Sequence, residues 1–223
     1  MILLYHCVSA RSFRALWALE ELGLSYELVM LPFPPRQRAR EFLALNPLGT
    51  VPLLVHGETR MTESAAICQY LCALKAPTPL AVGPHEAEYG SYLNMLHFGE
   101  ATLTFPQTLV LRYARLEPAD RRQPAVAEDY AKWFLARLRT LEPRLAQHEY
   151  LCARRFTAAD ISVGYALLLA DYLGLSASFT PAVSAYWRRL QTGEGFRRAL
   201  AAQDAAAKAQ GVSPVPAPLT LPA

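Results

Sequence analysis

The sequence predicts two parts of different fold class, an α/β part at the N-terminus and an all-helical part at the C-terminus. Strand-type and helical patterns alternate as far as Leu74, and only helical patterns follow after Glu86. Three prolines within residues 75–84 separate the two parts, because a helix does not continue through such a segment. With 223 residues, of which 52% are hydrophobic and 18% charged, the chain is long and apolar enough to bury a real core.

Short apolar runs and turn residues define the elements of the N-terminal part. In chain order we predict a strand over 2–5, a helix over 13–22, a strand over 26–31, a short helix over 38–45, a hairpin of 51–55 with 59–61, and a helix from Ser64 to near Leu74. This order resembles that of a thioredoxin-like domain. We place that domain at residues 1–76 and a linker at 77–85.

Helical periods dominate the C-terminal part, which we place at residues 86–208 as a helical bundle. We predict a long helix that is bent or broken near Phe105-Pro106 and ends by Arg115, a second helix over 126–147, and a last one over 184–200 that is interrupted near Gly193. Thr157 and Asp160 have the spacing of a capping box before a further helix. The Pro-rich residues 209–223 predict an extended or disordered tail.

Composition excludes several classes of function. No apolar run approaches the roughly 20 residues that span a bilayer, and the first residues lack the pattern of a signal peptide, so we expect a cytoplasmic protein. The net charge of +3 comes from dispersed residues, which argues against nucleic acid as a partner. The four cysteines, at positions 7, 68, 72 and 152, form no metal-binding spacing, and we expect no metal.

The segment Asn46–Ser64 carries the residues that point to a ligand. Proline has no N–H and restricts the residue before it to an extended conformation, so the backbone of Val51 is expected to stay free for an added peptide strand. Ser64 begins a helix, whose N-terminal N–H groups favour a carboxylate, and Glu63 beside it can pair with an amine. A backbone edge, a carboxylate site and an ammonium partner together suit a small zwitterionic peptide.

The run Asn-Pro-Leu-Gly-Thr-Val-Pro at 46–52, followed by Glu63-Ser64, resembles the glutathione-binding signature of the cytosolic glutathione transferases. The resemblance covers roughly residues 1–205. It implies that glutathione is bound by Ser9, Thr50, Val51, Pro52, Glu63 and Ser64, with Pro52 as a cis-proline. It further implies a bacterial, serine-type enzyme with a theta- or zeta-like first turn, a homodimer, and an apolar electrophile as second substrate.

Activation of the glutathione thiol is assigned to the turn between the first strand and the first helix. A hydroxyl that donates to the sulfur, together with the positive end of a helix, favours the thiolate. The pattern Ser9-x-x-Ser12-x-Arg14 resembles the serine-rich turn of the theta and zeta classes, and this resemblance makes Ser9 the catalytic candidate. Ser12, Cys7 and Tyr5 remain alternatives for the residue that contacts the thiol.

Several assignments stay open at this level. Many family members carry a basic residue where Thr50 stands, so no residue is assigned to the glycyl carboxylate, and Arg36, Arg38 and Arg40 are merely nearby in the chain. Thr102 and Phe105 lie three apart on the long helix and are candidates for lining the second-substrate pocket, although Phe105 also suits core packing. The alternative functions are a glutathione-dependent disulfide reductase that uses Cys7, an isomerase, and a non-catalytic interaction protein of the same fold.

Overall fold

The computed structural model describes residues 1–217 and divides into two compact units. The first unit contains residues Met1–Thr78 and the chain from Thr192 onward, and the second contains Pro79–Gln191. The first division falls inside the predicted linker. The last helix, which the sequence pattern groups with the helical part, belongs to the first unit.

The first unit is built on a mixed four-stranded sheet, which confirms the predicted thioredoxin-like class. Its strands are β1 (Ile2–His6), β2 (Tyr26–Met30), β3 (Leu53–His56) and β4 (Thr59–Met61), in the order β2-β1-β3-β4. Its helices are α1 (Phe13–Leu22), α2 (Pro35–Arg38), α3 (Ser64–Leu74) and α10 (Glu194–Ala209), with a 3₁₀ turn at Arg40–Ala44.

Strand direction brings one set of loops to the same end of this sheet. Strand β1 runs parallel to β2 and antiparallel to β3, and β3 is antiparallel to β4. The chain therefore leaves β1, β2 and β4, and enters β3, at a single end, which we call the His6 end of the sheet.

Two predicted N-terminal elements are corrected by the structure. The helix expected over 38–45 is instead α2, at Pro35–Arg38, followed by a separate 3₁₀ turn. Proline fits the first position of a helix because its missing N–H is not needed there, so the helix begins at Pro35, earlier than the expected residue 38. Strand β3 begins at Leu53, two residues later than expected, because Pro52 has no N–H for the ladder.

Helix α10 packs on α1 through aromatic rings. Phe196 lies edge-on to Trp17 and Phe13, with ring centroids 4.9 and 5.7 Å away, respectively. The Arg198 guanidinium also pairs with the Glu20 carboxylate at 3.1 Å. The aromatic contacts bury Phe196 and hold the C-terminal helix against the sheet domain.

The structure describes the tail that follows α10 as far as Ala217. Gly211 has a φ of +66°, and the Val212 N–H donates to the Ala207 carbonyl at 2.9 Å, which closes the end of the helix. Val212 packs against the buried cluster formed by Val8, Met30 and Ala207. Residues 218–223 lie outside the described part of the chain.

The second unit is helical, as predicted. Its α-helices are α4 (Tyr89–His97), α5 (Phe105–Leu111), α6 (Pro124–Leu138), α7 (Glu142–Leu145), α8 (Ala158–Tyr172) and α9 (Pro181–Thr192). π-Helical turns at Phe98–Thr104 and Arg112–Leu116 make 89–116 one continuous helix. The first π segment ends just before Pro106, whose nitrogen cannot donate a hydrogen bond. The irregularity that we predicted near Phe105-Pro106 is therefore confirmed, although the helix is not broken there.

Helix α8 forms the buried centre of the second unit. Twelve of its fifteen residues are buried, and the predicted capping box of Thr157 and Asp160 is present. The Asp160 carboxylate accepts from the Thr157 N–H at 2.8 Å and from the Leu151 N–H at 2.9 Å. No helix within residues 1–217 is long and apolar enough to cross a membrane.

Candidate functional site

Three predicted ligand-binding segments meet at the His6 end of the sheet. The turn 7–12 follows β1, the segment 46–52 precedes β3, and Glu63-Ser64 follow β4. The register pairs Tyr5 with Leu53 and Leu54 with Met61, so these strand ends are neighbours. Topology alone thus assembles residues that are more than 50 positions apart in the chain.

The turn 46–50 is held by the buried side chain of Asn46. Its amide donates to the Thr50 carbonyl at 2.8 Å, and its oxygen accepts from the Leu48 N–H at 3.2 Å. Gly49 has a φ of +61°, and a Cβ there would lie 2.9 Å from the Leu43 side chain, so only glycine fits. Thr50 is left exposed at the end of this turn.

Val51 follows that turn and presents its backbone. The Val51-Pro52 bond is cis, as the resemblance implies. The Val51 side chain is buried, whereas its N–H and C=O have no hydrogen-bond partner within residues 1–217. An extended peptide can pair with both groups.

The start of α3 combines two sources of positive potential. Glu63 is the N-cap residue and exposes its carboxylate, and Ser64 begins the helix and is 2% exposed. The fully buried Arg14 of α1 donates from Nη1 to the Ser64 Oγ at 3.2 Å. The free N–H groups of the helix end and this guanidinium both favour a carboxylate beside Ser64.

Ser9 is held in an unusual backbone conformation by Gln203 of α10. Its φ is +50°, a backbone conformation that residues other than glycine rarely adopt. The Ser9 N–H donates to the Gln203 Oε1 at 3.0 Å, and the Gln203 Nε2 donates to the Ser9 Oγ at 3.3 Å. A single buried amide therefore fixes both the backbone and the hydroxyl of Ser9.

The proton positions around Gln203 follow from the hydrogen-bond inventory. The Gln203 Oε1 only accepts, so the His6 Nε2, 3.0 Å away, must donate to it. Burial lowers the pKa of His6 to about 4, against a smaller opposing effect of this hydrogen bond, so the ring is neutral at pH 7. Its Nδ1 then has no proton, and the Ser12 Oγ, 2.7 Å away, must donate to it.

These assignments distinguish the four side chains that are candidates for contact with the glutathione thiol. The Ser12 hydroxyl proton is committed to His6, and Ser12 is fully buried. Cys7 is also fully buried, and burial raises the pKa of its thiol to about 12, which opposes a thiolate. Tyr5 packs its ring against Phe42 with centroids 5.3 Å apart. Ser9 is half-buried, and its hydroxyl proton has no acceptor within residues 1–217.

The remaining predicted site residues are more exposed. Arg36, Arg38 and Arg40 are exposed, and their side chains have no hydrogen-bond or ion-pair partner in the described chain. In the second unit, Thr102 is half-buried and Phe105 is 52% exposed, so core packing does not explain Phe105. No group of three or more His, Cys, Asp or Glu side chains within residues 1–217 is arranged to hold a metal ion.

Sequence reasoning missed the roles of Gln203, His6 and Arg14. Gln203 lies 194 positions from Ser9, and an amide on a helix carries no local signal of such a contact. The sequence pattern indicates only that His6 lies at the end of a strand and that Arg14 lies in a helix. The one available signal was Arg14 in an apolar helical pattern, since a buried guanidinium requires polar partners.

Comparisons with known proteins identify the family. The profile described as "Glutathione S-transferase, N-terminal domain" matches residues 8–74. Glutathione S-transferase 4 of Zea mays is 32% identical over 185 residues, which cover 79% of this chain and 81% of the maize protein. The chain belongs to the glutathione S-transferase family. A glutathione transferase structure from Methylococcus capsulatus has a TM-score of 0.80 and 26% identity, covering 92% of this chain and 100% of that one.

Another relative of this chain is not named as a transferase. Elongation factor 1-gamma 2 of Oryza sativa is 31% identical over 207 residues, which cover 90% of this chain and 49% of the rice protein. Similarity at this level is thus shared with a protein that is not named a transferase.

We expect the buried neutral His6 to make the fold sensitive to acid. Unfolded histidine binds a proton near pH 6.5, whereas folded His6 does so only near pH 4, so stability falls as pH decreases between these values. Relative to His6→Gln, the wild type should lose about 2 kcal/mol between about pH 7 and about pH 4.5, measured by urea unfolding.

The comparison of the wild type with His6→Gln isolates the contribution of His6 to the pH dependence of stability. Burial raises the pKa of Asp160 to about 6, and this shift has the opposite effect because the folded protein then binds the proton first. Asp160 is present in both proteins, so its contribution cancels. An equal loss in the wild type and in His6→Gln would contradict the assigned neutral tautomer.

Proposed function

We propose that this chain is a glutathione transferase in which Ser9 stabilises the glutathione thiolate and the thiolate attacks an apolar electrophile. The observation that carries the proposal is the free hydroxyl proton of Ser9. Ser12 and Cys7 are fully buried, and Tyr5, although half-buried, packs its ring against Phe42. Ser9 is half-buried, and Gln203 orients its hydroxyl so that the proton is not used by a neighbour within residues 1–217. Family membership supports the same activity.

Glutathione is proposed to lie across the His6 end of the sheet. Its cysteinyl backbone pairs with the free N–H and C=O of Val51, next to Thr50 and cis-Pro52. Its γ-glutamyl carboxylate binds at the start of α3, at Ser64, and its ammonium group pairs with Glu63. The glycyl carboxylate is assigned to one of the exposed arginines 36, 38 and 40.

Activation of the thiol is proposed to be electrostatic. Gln203 donates to the Ser9 Oγ, so the Ser9 proton is directed away from Gln203 and toward the bound sulfur. A donated hydrogen bond stabilises the thiolate more than the thiol and lowers the thiol pKa. The thiol proton passes to solvent, and the sulfur forms its new bond to the electrophile.

The other substrate and the assembly also belong to the proposal. We propose an apolar electrophile, with Thr102 and Phe105 as lining residues, in keeping with the exposed ring of Phe105. We further propose a cytoplasmic homodimer, which is the assembly that the family resemblance implies.

A second candidate function is a non-catalytic interaction protein of the same fold. The similarity to an elongation factor 1-gamma favours it. The two functions differ in one measurement, because only the transferase lowers the pKa of a bound glutathione thiol. Glutathione-dependent disulfide reduction through Cys7 is not favoured, since that thiol is fully buried and has a raised pKa.

Loss of the Ser9 hydroxyl should lower turnover far more than it lowers glutathione binding. In Ser9→Ala we expect kcat to fall on the order of 100-fold, the effect typical of one oriented hydrogen-bond donor, while the Kd for glutathione changes little. The kcat is measured with a chlorodinitrobenzene as substrate, and the Kd for glutathione is measured by calorimetry.

Ser9→Gly is the matched control for this substitution. Glycine also lacks the hydroxyl but adopts the φ of +50° without strain. If Ser9 acts through its hydroxyl, both variants are equally slow. If Ser9→Gly keeps wild-type turnover, Ser9 has only a backbone role and the proposal is wrong.

Replacement of the Gln203 amide, which donates to Ser9, by a carboxylate, which only accepts, should also slow the enzyme. In Gln203→Glu the carboxylate oxygens can still accept from His6 and from the Ser9 N–H, but the Ser9 hydroxyl must now donate to the carboxylate instead of to sulfur. We expect a kcat at least tenfold lower and a raised pKa for bound glutathione, read from ultraviolet thiolate absorbance against pH.

A structural role of Gln203 would produce a different result. Gln203→Glu keeps size and shape, so a residue that only supports packing would tolerate it with an unchanged thiol pKa. The apolar Gln203→Leu serves as the control, because it removes the donor without supplying a competing acceptor. If the thiol pKa of bound glutathione is the same in both variants as in the wild type, the proposed orientation of the Ser9 hydroxyl is contradicted.

A further inference from the structure

The chain reverses its direction at the end of helix α10. Gly211 has a φ of +66°, and its N–H donates to the Lys208 carbonyl at 3.4 Å. The Val212 N–H donates to the Ala207 carbonyl at 2.9 Å. This pair of bonds is a Schellman motif, in which the residue after the glycine turns back against the last turn of its own helix. Val212 is thereby directed toward Ala207 instead of along the helix axis.

The reversal brings Val212 to a small apolar cluster that includes the turn after β1. Val8, Met30 and Ala207 form the buried part of this cluster, and Val212 packs against it. All four residues belong to the first unit. Val8 immediately precedes Ser9, so the C-terminal tail supports the backbone next to the proposed catalytic hydroxyl.

The side chain of Gln210 anchors this reversal to the sheet. Strand β2 is an edge strand, with free backbone groups on one side. The Met30 N–H donates to the Gln210 Oε1 at 2.8 Å, and the Gln210 Nε2 donates to the Leu28 carbonyl at 2.8 Å. The end of α10 is therefore attached to β2 directly before the chain turns at Gly211.

The backbone of Ser9 requires such support. A residue other than glycine keeps a positive φ only where the surrounding structure imposes it, and Ser9 has a φ of +50°. Gln203 holds Ser9 itself through two hydrogen bonds, and the apolar cluster holds Val8. Both supports thus depend on α10 and on the residues that follow it.

We propose that Val212 is a positioning residue of the thiol site. By packing against the cluster that contains Val8, it keeps Ser9 at its positive φ and keeps the hydroxyl directed at the glutathione sulfur. Val212 acts only through Val8 and Ser9, and it contacts neither substrate. The inference rests on the proposed function of Ser9.

Two neutral substitutions remove the support in different ways. Val212→Asn places an amide against the apolar cluster. Gly211→Val disfavours the positive φ of the reversal, and it acts through the backbone because no atom within residues 1–217 lies within 4 Å of a Cβ at this position. For both variants we expect kcat to fall on the order of tenfold and the thiol pKa of bound glutathione to rise, with little change in the Kd for glutathione.

Three control variants separate positioning from a general loss of stability. Val215→Asn introduces the same amide three residues further along the tail, at a side chain that is 51% exposed and lies outside the cluster. Thr157→Ala weakens the cap of α8 in the second unit. Val212→Ile keeps the apolar contact, and a cavity of about 250 Å³ beside Val212 has room for the added methylene. All three should keep the wild-type kcat and thiol pKa.

The sharpest measurement is the effect of Ser9→Ala in the Val212→Asn background. If Val212 acts through the Ser9 hydroxyl, Ser9→Ala lowers kcat only about tenfold there, instead of about 100-fold in the wild type, because the hydroxyl has already lost part of its effect. An undiminished 100-fold effect would overturn the inference. Equal losses in Val215→Asn or Thr157→Ala, or a wild-type thiol pKa in both Val212→Asn and Gly211→Val, would also overturn it. Failure of the proposed function is distinguishable, because Ser9→Ala alone would then leave turnover unchanged.

Discussion

One side-chain amide, that of Gln203, determines the arrangement of hydrogen bonds on which the candidate site depends. It is 2% exposed and contacts the Ser9 N–H, the Ser9 hydroxyl and His6. Each end of an amide has a fixed role, one accepting and the other donating, so its orientation assigns a direction to every bond around it. The result is that Ser12 uses its proton internally while Ser9 retains one for a ligand.

The sheet topology explains how a helix near the C-terminus takes part in a site built from the first 64 residues. Helix α10 packs on α1 through Phe196, and this contact brings Gln203 to the turn after β1. The same topology brings Val51 and Glu63-Ser64 to the His6 end of the sheet. The backbone edge, the carboxylate site and the free hydroxyl are thereby assembled within one compact unit.

Local patterns predicted much of this arrangement, because they depend on neighbours in the chain. Proline and glycine positions predicted the elements of the sheet domain, and the spacing of Thr157 and Asp160 predicted the capping box that the structure contains. The helix that begins at Pro35 was predicted to start too late, since proline can either end a helix or begin one. The choice between Ser9 and Ser12 could not follow from spacing, as it depends on protons held by His6 and Gln203, which only tertiary structure brings together.

The most direct test of this account is a crystal structure of the full chain with glutathione bound. We predict that the sulfur lies within hydrogen-bond distance of the Ser9 Oγ, with the Gln203 Nε2 still in contact with that oxygen and the tripeptide backbone paired with Val51. A sulfur placed against Ser12, or joined to Cys7 in a disulfide, would contradict it.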